Sequence, residues 1–440
     1  MVHDKIKYVY TEKDFLDLFQ EKIEDKLIKT FKYMFYKFKK GIFVKIKKNI
    51  ITHYIFFDNL DFKNNWYNII KLNNNINSKD EIKKFIIFSE LYSKYWYIKK
   101  KYNNLNCSLE QYISKNTNKI DINKFNLEVS KWYANNGLFR YDKQFIKDEK
   151  NVIVFYDMIK ELLKKFIIQD KFFFLNKRDF PIIFENNKEP YYNIFGVNEE
   201  IFDYKSTELC DIFSMSIKDN FKDILLPTFE DWYRIRSLEF VLFPPIYKNY
   251  NYNFEYNWNK KINKFVFRGS STGEGYNNLN NKRLNLIEKK EKSKFNNLID
   301  AGITKWQLRP RIKNKKFYFI NPENYNNYLN NNLSPEEQSK YKYIINIEGN
   351  VSAFRLSLEL CMKSCILIVE SEWKLWYSDK LKPYIHYIPI KSDLSDLDDI
   401  IEWCIKNEKV CKNIAENSYI FSNEILSKNS ILDYLYKKLN

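Results

Sequence analysis

The strongest constraint on the fold lies in the last third of the chain. There an apolar run, a short polar loop, an amphipathic stretch and a second apolar run follow one another directly. YKYIINI (341–347) predicts a strand, EGNVS (348–352) a loop, AFRLSLELCMK (353–363) a helix and SCILIVE (364–370) the next strand. Two further units repeat the theme. KFVF (264–267) leads through RGSSTGEG to the helical NNKRLNLIEKKEK (280–292), and the amphipathic NVIVFYDMIKELLKKFI (151–167) precedes the short buried strand KFFFLN (171–176). Alternation of this kind argues for an α/β fold with a parallel sheet.

Residues 1 to about 130 read differently. Helical-period stretches such as EDKLIKTFKYMFYKFKK (24–40) and KDEIKKFIIFSELYSKYWYIKK (79–100), with few turn signals, predict a mixed, mostly helical N-terminal region. The Pro-containing FPPIYKNYNYN (243–253) is the best candidate linker between two α/β domains, which places one at 131–250 and the other at 251–411. Beyond residue 400, IEWCIKNEKVCKNIAENSYIFSNEIL (401–426) is helical, and the tail 412–440 has room to pack back and complete the first domain.

Composition narrows the functional classes. With 440 residues, 45% hydrophobic and 18% aromatic, the chain can bury large cores, which excludes wholesale disorder. No run approaches the roughly 18 uncharged apolar residues of a membrane span, and the first twenty residues interleave charge with apolar side chains instead of forming a signal-peptide core. Six scattered Cys give neither a disulfide framework nor a zinc site, and three His nearly exclude a Ser/His/Asp or His-rich metal site. Lys, Asn, Ile, Tyr and Phe abound while Gly numbers 8 and Pro 10, the mark of codon bias. Against that background Arg and Gly stand out. Only nine of the 73 basic residues are Arg, none before residue 140, and five of the eight Gly fall between 269 and 349. Arg is suited to bidentate anion recognition and Gly to positive φ or close backbone approach.

Ligands of open α/β sheets bind beyond the carboxyl ends of strands, and both Gly-rich segments occupy that position. In one, Gly349 turns the backbone, Ser352 is the expected N-cap and Arg355 falls in the first helical turn, ready for a diphosphate. In the other, Arg268, Gly269, Ser270 and Thr272 follow a strand directly, with Arg283 on the next helix. Neither segment fits a Walker A loop or the GxGxxG of dinucleotide folds, so NTPase, kinase and dehydrogenase readings are discounted. Asp179, in NKRDFP at the end of the KFFFLN strand, is the candidate base; its other reading is a loop ion pair with Arg178. The Asp396 to Asp398 pair fits a helix start better than a metal site, and His386 reads as a packed or ligand-lining side chain.

Together NKRDFP (176–181), FRGSSTG (267–273) with Arg283 following, DAGIT (300–304), YKYIINIEGNVSAFRLSLEL (341–360) and LKPYIHYIPIKSDLSDL (381–397) resemble one family. It is glycosyltransferase family 90, the protein O-glucosyltransferases and capsule-associated CAP10-like proteins, and the resemblance spans roughly residues 170 to 425. The resemblance implies a GT-B architecture: two Rossmann-like domains facing a cleft, an acceptor-side one at 131–250 and a UDP-sugar-binding one at 251–411. It also implies inverting, metal-independent transfer of glucose or xylose from UDP-glucose or UDP-xylose to a hydroxyl of a protein or glycan acceptor, with no cofactor. Carried over by motif, Asp179 matches the catalytic base, Arg268, Gly269 and Ser270 the donor loop, and Arg355 the residue that holds the diphosphate. Ser352, Ala353 and Phe354 would surround the nucleotide. Animal members often show Ala-Ser where this chain has Ser352-Ala353. Giant-virus members share the biased composition, so a large DNA virus is the expected source. The chain begins MVHDK and ends YKKLN, with no leader or ER-retention tail, so a cytoplasmic site, in the host cytoplasm or a virus factory, is expected. Two rival classes are kept. A net charge of +17 with 34 Tyr and 36 Phe fits a basic nucleic-acid-binding protein, although the dispersed Lys and the lack of any nucleic-acid motif speak against that partner. A catalytically inactive glycan-binding relative is the other.

Overall fold

The computed structural model describes residues 5–19, 23–59, 107–116, 145–185, 190, 205–237, 254–307, 311–313, 316–318 and 320–440. The helix expected at 79–100 and the linker expected at 243–253 lie outside them. The described residues form two large β-sheets with helices packed on their faces.

The first sheet holds β1 (Lys7–Val9), β2 (Lys40–Lys47), β3 (Ile50–Asp58), β4 (Lys171–Asn176), β5 (Ile212–Ser214) and β6 (Ile224–Leu225), in the order β1-β3-β2-β4-β5-β6. Only β2 runs against the rest: it pairs antiparallel with both β3 and β4, while β1–β3, β4–β5 and β5–β6 are parallel. The sheet as a whole is mixed, but the strands of 131–250, β4, β5 and β6, run parallel to one another. The antiparallel β2 comes from the N-terminal region, whose described residues hold helices together with three strands of this sheet. The predicted helix at 24–40 is real as far as Phe38, running Asp25–Lys32 and then one π-helical stretch, Tyr33–Phe38. The strands after it were hidden because their turn is Lys48-Asn49, without glycine. Both residues sit at positive φ (51° and 58°), as a two-residue hairpin requires.

The second sheet agrees with the α/β reading. β7 (Ile262–Ser270), β8 (Ile299–Lys305), β11 (Tyr341–Asn346), β12 (Cys365–Val369) and β13 (Ile388–Ile390) are all parallel, in the order β13-β12-β11-β7-β8. β9 (Arg311–Lys313) and β10 (Lys316–Tyr318) form a separate hairpin.

Strand periodicity sorts side chains into three cores. Ile42, Val44, Phe173 and Leu175 face one way with Val266 and Ile344 of the second sheet, in one continuous core. Phe43 and Phe174 face the other side of the first sheet. Phe265, Phe267, Tyr343 and Ile345 face the other side of the second. The shared core also takes in the helix Phe145–Lys165 and the C-terminal helix Lys428–Leu439, through Phe155, Leu162, Leu432 and Leu435. Lys165 Nζ bonds Asp433 at 2.8 Å, and Tyr434 OH donates to Leu225 O at 2.9 Å. The chain's end therefore lies against the first sheet. No helix among the described residues is long and apolar enough to cross a membrane.

Candidate functional site

The second sheet's β7 and β11 both end beside one cavity, of about 390 Å³. Beyond β7 the loop is folded by Asn281, the N-cap of the helix Lys282–Lys292. Its Oδ1 accepts from the N–H groups of Arg283 and Leu284, and its Nδ2 donates to Thr272 O and Gly275 O, all at 3.1 Å. Arg283, one residue into that helix after Lys282, reaches back underneath. Its Nη1 donates to Ser270 O (2.8 Å), its Nε to Glu348 O (2.9 Å) and its Nη2 to Ile347 O (3.0 Å). One buried guanidinium thus ties the carboxyl ends of β7 and β11 together. Burial, and then the nearby Arg355, work against its charge.

Two glycines allow this closeness. A Cβ on Gly349 would stand 2.7 Å from Thr272 Oγ1, so the two loops touch only because none is there. A Cβ on Gly269 would stand 3.1 Å from both Arg283 Nη1 and Arg355 Nη2. The two cations accordingly flank Gly269. Each guanidinium also lies over the Phe267 ring, at 5.8 Å for Arg283 and 5.7 Å for Arg355. Arg355 is further held by the buried Glu359, whose Oε1 lies 3.3 Å from its Nε and whose Oε2 accepts from Asn346 Nδ2 at 2.5 Å. Burial raises the Glu359 carboxyl, against the pull of Arg355 and Asn346.

Asp179, Arg268, Gly269, Ser270, Arg283, Gly349, Ser352, Ala353, Phe354 and Arg355 all line this cavity, so the residues singled out in sequence are brought together. Their local roles differ from expectation in three places. Arg268 is buried, and its Nη2 pairs with Asp300 Oδ1 at 2.6 Å while Nη1 and Nε go to the carbonyls of Phe267, Asp300 and Asn331. Asp300 also accepts from Tyr341 OH at 2.7 Å. Burial would raise its carboxyl, but those two hydrogen bonds hold it below the usual range. Ser352 is not an N-cap. The expected helix shrinks to Leu356–Glu359 plus a 3-10 turn, its N-cap is Arg355, and Ser352 Oγ instead accepts from Ser216 Oγ, just beyond β5, at 3.1 Å. So short a helix has little dipole to offer an anion. Finally, Arg178 does not pair with Asp179: its Nε and Nη2 donate to Phe38 O at 2.9 and 2.6 Å.

With Arg268 and Arg283 each 7% exposed, the Arg355 side chain at 29% is the one of the three that presents its cation to the cavity. His386 lies elsewhere. Its Nδ1 accepts from Lys382 N at 3.0 Å and its ring packs on Phe421. Asp396 accepts from Lys391 N within its own loop, and Asp398 accepts from Ser293 Oγ, at the end of the helix Lys282–Lys292. The sequence reading missed Glu359, whose i,i+4 spacing from Arg355 is a legible signal. It also missed Glu230, a second carboxyl on the cavity wall, which in TFEDW looks like one of two ordinary first-turn acids.

Comparison with known proteins identifies the family. The profile of glycosyl transferase family 90 matches residues 141–440. Among curated relatives, the uncharacterized protein 179R of Invertebrate iridescent virus 6 is 42% identical, and the uncharacterized protein 035R of Invertebrate iridescent virus 3 is 41% identical. Each match covers 93% of this chain and 36% of the relative. Human protein O-glucosyltransferase 1 is 30% identical over 40% of this chain and 41% of its own length. The chain thus spans about a third of the length of the viral relatives. On the profile match, which covers more than half of it, the chain belongs to glycosyl transferase family 90.

Proposed function

We propose that the chain transfers glucose or xylose from a UDP-sugar to a hydroxyl of a protein or glycan acceptor, with inversion and without a metal. The two sheet-centred halves would then act as the lobes of a GT-B architecture, with the cavity as their cleft. One observation carries the reading: a carboxylate from the end of β4, Asp179, shares a cavity with Arg355 and with the two glycine loops at the carboxyl ends of β7 and β11. A base must face the leaving group across the sugar for an in-line displacement, and a carboxylate and a guanidinium on the wall of one cavity support that reading.

In this mechanism Asp179 takes the proton of the acceptor hydroxyl as that oxygen attacks the anomeric carbon. The bond from that carbon to the diphosphate breaks, and the electron pair leaves with UDP. Arg355, held by Glu359 and Phe267, stabilises the charge that builds on the diphosphate, a contribution of about 3 kcal/mol for a preorganised donor of this kind. Arg268 and Arg283 act indirectly, by fixing the loops that Arg355 and the nucleotide meet. UDP-glucose and UDP-xylose should each raise the melting temperature and be slowly hydrolysed, with activity retained in excess EDTA. Loss of activity in EDTA that Mn²⁺ restores would refute metal independence, and no stabilisation by any UDP-sugar would refute the donor assignment.

A further inference from the structure

The helix Phe229–Ser237 opens on two acids, and only one of them has a structural task. Asp231 Oδ2 accepts from Thr228 N and from Trp376 Nε1, both at 2.9 Å, while Asp231 N returns a bond to Thr228 Oγ1 at 3.1 Å. Capping of the helix and attachment to the other half are therefore done by Asp231. Glu230 is left half-buried on the cavity wall, and among the described residues the influences on its carboxyl are burial and charge, not a hydrogen bond.

The charges around Glu230 locate it within the site. Asp231 comes from its own helix, Arg355 and Glu359 from the segment beyond β11, and Asp179 from the end of β4. The helix Phe145–Lys165 contributes Asp157, already paired with Arg236 at 2.8 Å. Glu230 thus shares the cavity wall with Arg355 and Asp179. On the functional reading above, Arg355 meets the diphosphate and Asp179 the acceptor hydroxyl, and the transferred sugar lies between those two. We infer that Glu230 is a specificity-determining residue whose carboxyl hydrogen-bonds a ring hydroxyl of the donor sugar. The inference rests on that functional reading.

The chemistry suits the role. Burial, reinforced by Asp231 and Asp179 and opposed by Arg355, lifts the Glu230 carboxyl to about 7. Near neutral pH it is available both as donor and as acceptor to a hydroxyl. A site built to bond a hydroxyl rejects ligands that lack it, because its own polar group is then left unpaired.

Calorimetric titration of the full chain with UDP and with UDP-glucose, in wild type, Glu230→Ala and Glu230→Gln, tests this. UDP carries no sugar, so its affinity should change by less than about twofold in either variant. Affinity for UDP-glucose, and kcat/KM for its hydrolysis, should fall about 10- to 100-fold in Glu230→Ala and partly recover in Glu230→Gln. One monodeoxy UDP-glucose should lose the same factor on wild type and lose nothing further on Glu230→Ala. Equal weakening of UDP and UDP-glucose, or no change in either, would overturn the inference while leaving the UDP-sugar reading in place. Failure of wild type to bind either ligand would remove both. Should Glu230→Ala prove unstable, the near-isosteric Glu230→Gln and the deoxy series decide by the same criteria.

Discussion

Asp179 and Arg355 are assigned different parts of one reaction, and single substitutions should separate them. Asp179→Asn should lower transfer about 10²- to 10⁴-fold while leaving UDP affinity nearly intact; full activity would remove Asp179 as the base. Arg355→Ala should weaken UDP binding itself by about 10- to 100-fold, measured by calorimetry, and unchanged binding would refute the contact. The scarcity of Arg and Gly in a Lys- and Asn-rich chain drew attention to Arg268, Gly269, Arg283, Gly349 and Arg355, and these line one cavity with the other five selected residues. It did not give each residue its task. Arg268 and Arg355 look alike in sequence, yet the carboxylate that holds Arg268 comes from Asp300, 32 residues away on the neighbouring strand. Which cation remains for a ligand is decided by partners that only folding brings together.

At the scale of elements, the β2–β3 hairpin and the C-terminal helix show how local signals combine with distant contacts. Asn49 holds φ at 58° in the turn while its Oδ1 accepts from Ile168 N and its Nδ2 donates to Leu163 O, both at 3.0 Å, tying the hairpin to the end of the helix Phe145–Lys165. Asn49→Gly keeps the turn and loses both bonds, so it should cost about 1–2 kcal/mol in urea unfolding. Asn49→Ala should cost about 1 kcal/mol more, from the left-handed backbone; equal costs would mean the turn carries no strain. Glu161 joins the same helix to the C-terminal one through Lys428 at 3.0 Å, and it also pairs with Lys164 at 2.6 Å. Burial would raise its carboxyl, but these ion pairs bring it down to about 2 from 4.5. A carboxyl lowered in the folded state stabilises the fold above its unfolded value, and that contribution disappears as pH falls toward the folded one. Glu161→Gln should therefore be less stable than wild type by up to about 1 kcal/mol near pH 6, with the gap closing as pH drops below 4.5. A gap that widens in acid would contradict the pairing.

For the molecule as a whole, the placement of β2 matters most. It lies between β3 and β4, so residues outside the family match at 141–440 supply the interior of the sheet from which Asp179 projects. A fragment of residues 141–440 should expose one edge of β4 and the apolar faces that Ile42, Phe43 and Val44 cover. It should be insoluble or fail to unfold cooperatively, whereas the full chain, with one core common to both sheets, should show a single calorimetric transition. A stable, UDP-binding fragment would show that the N-terminal strands are dispensable. The parallel α/β character of the second half and its strand–loop–helix units at 264–292 and 341–370 were legible in sequence, because strand and helix periods and the glycine and arginine positions are properties of short segments. The mixed first sheet, the place of Glu230 on the cavity wall and the greater exposure of Arg355 than of its two neighbours were decided only by tertiary structure. Strand partners, burial and the pairing of charges depend on which distant segments meet, and no short stretch of sequence records that.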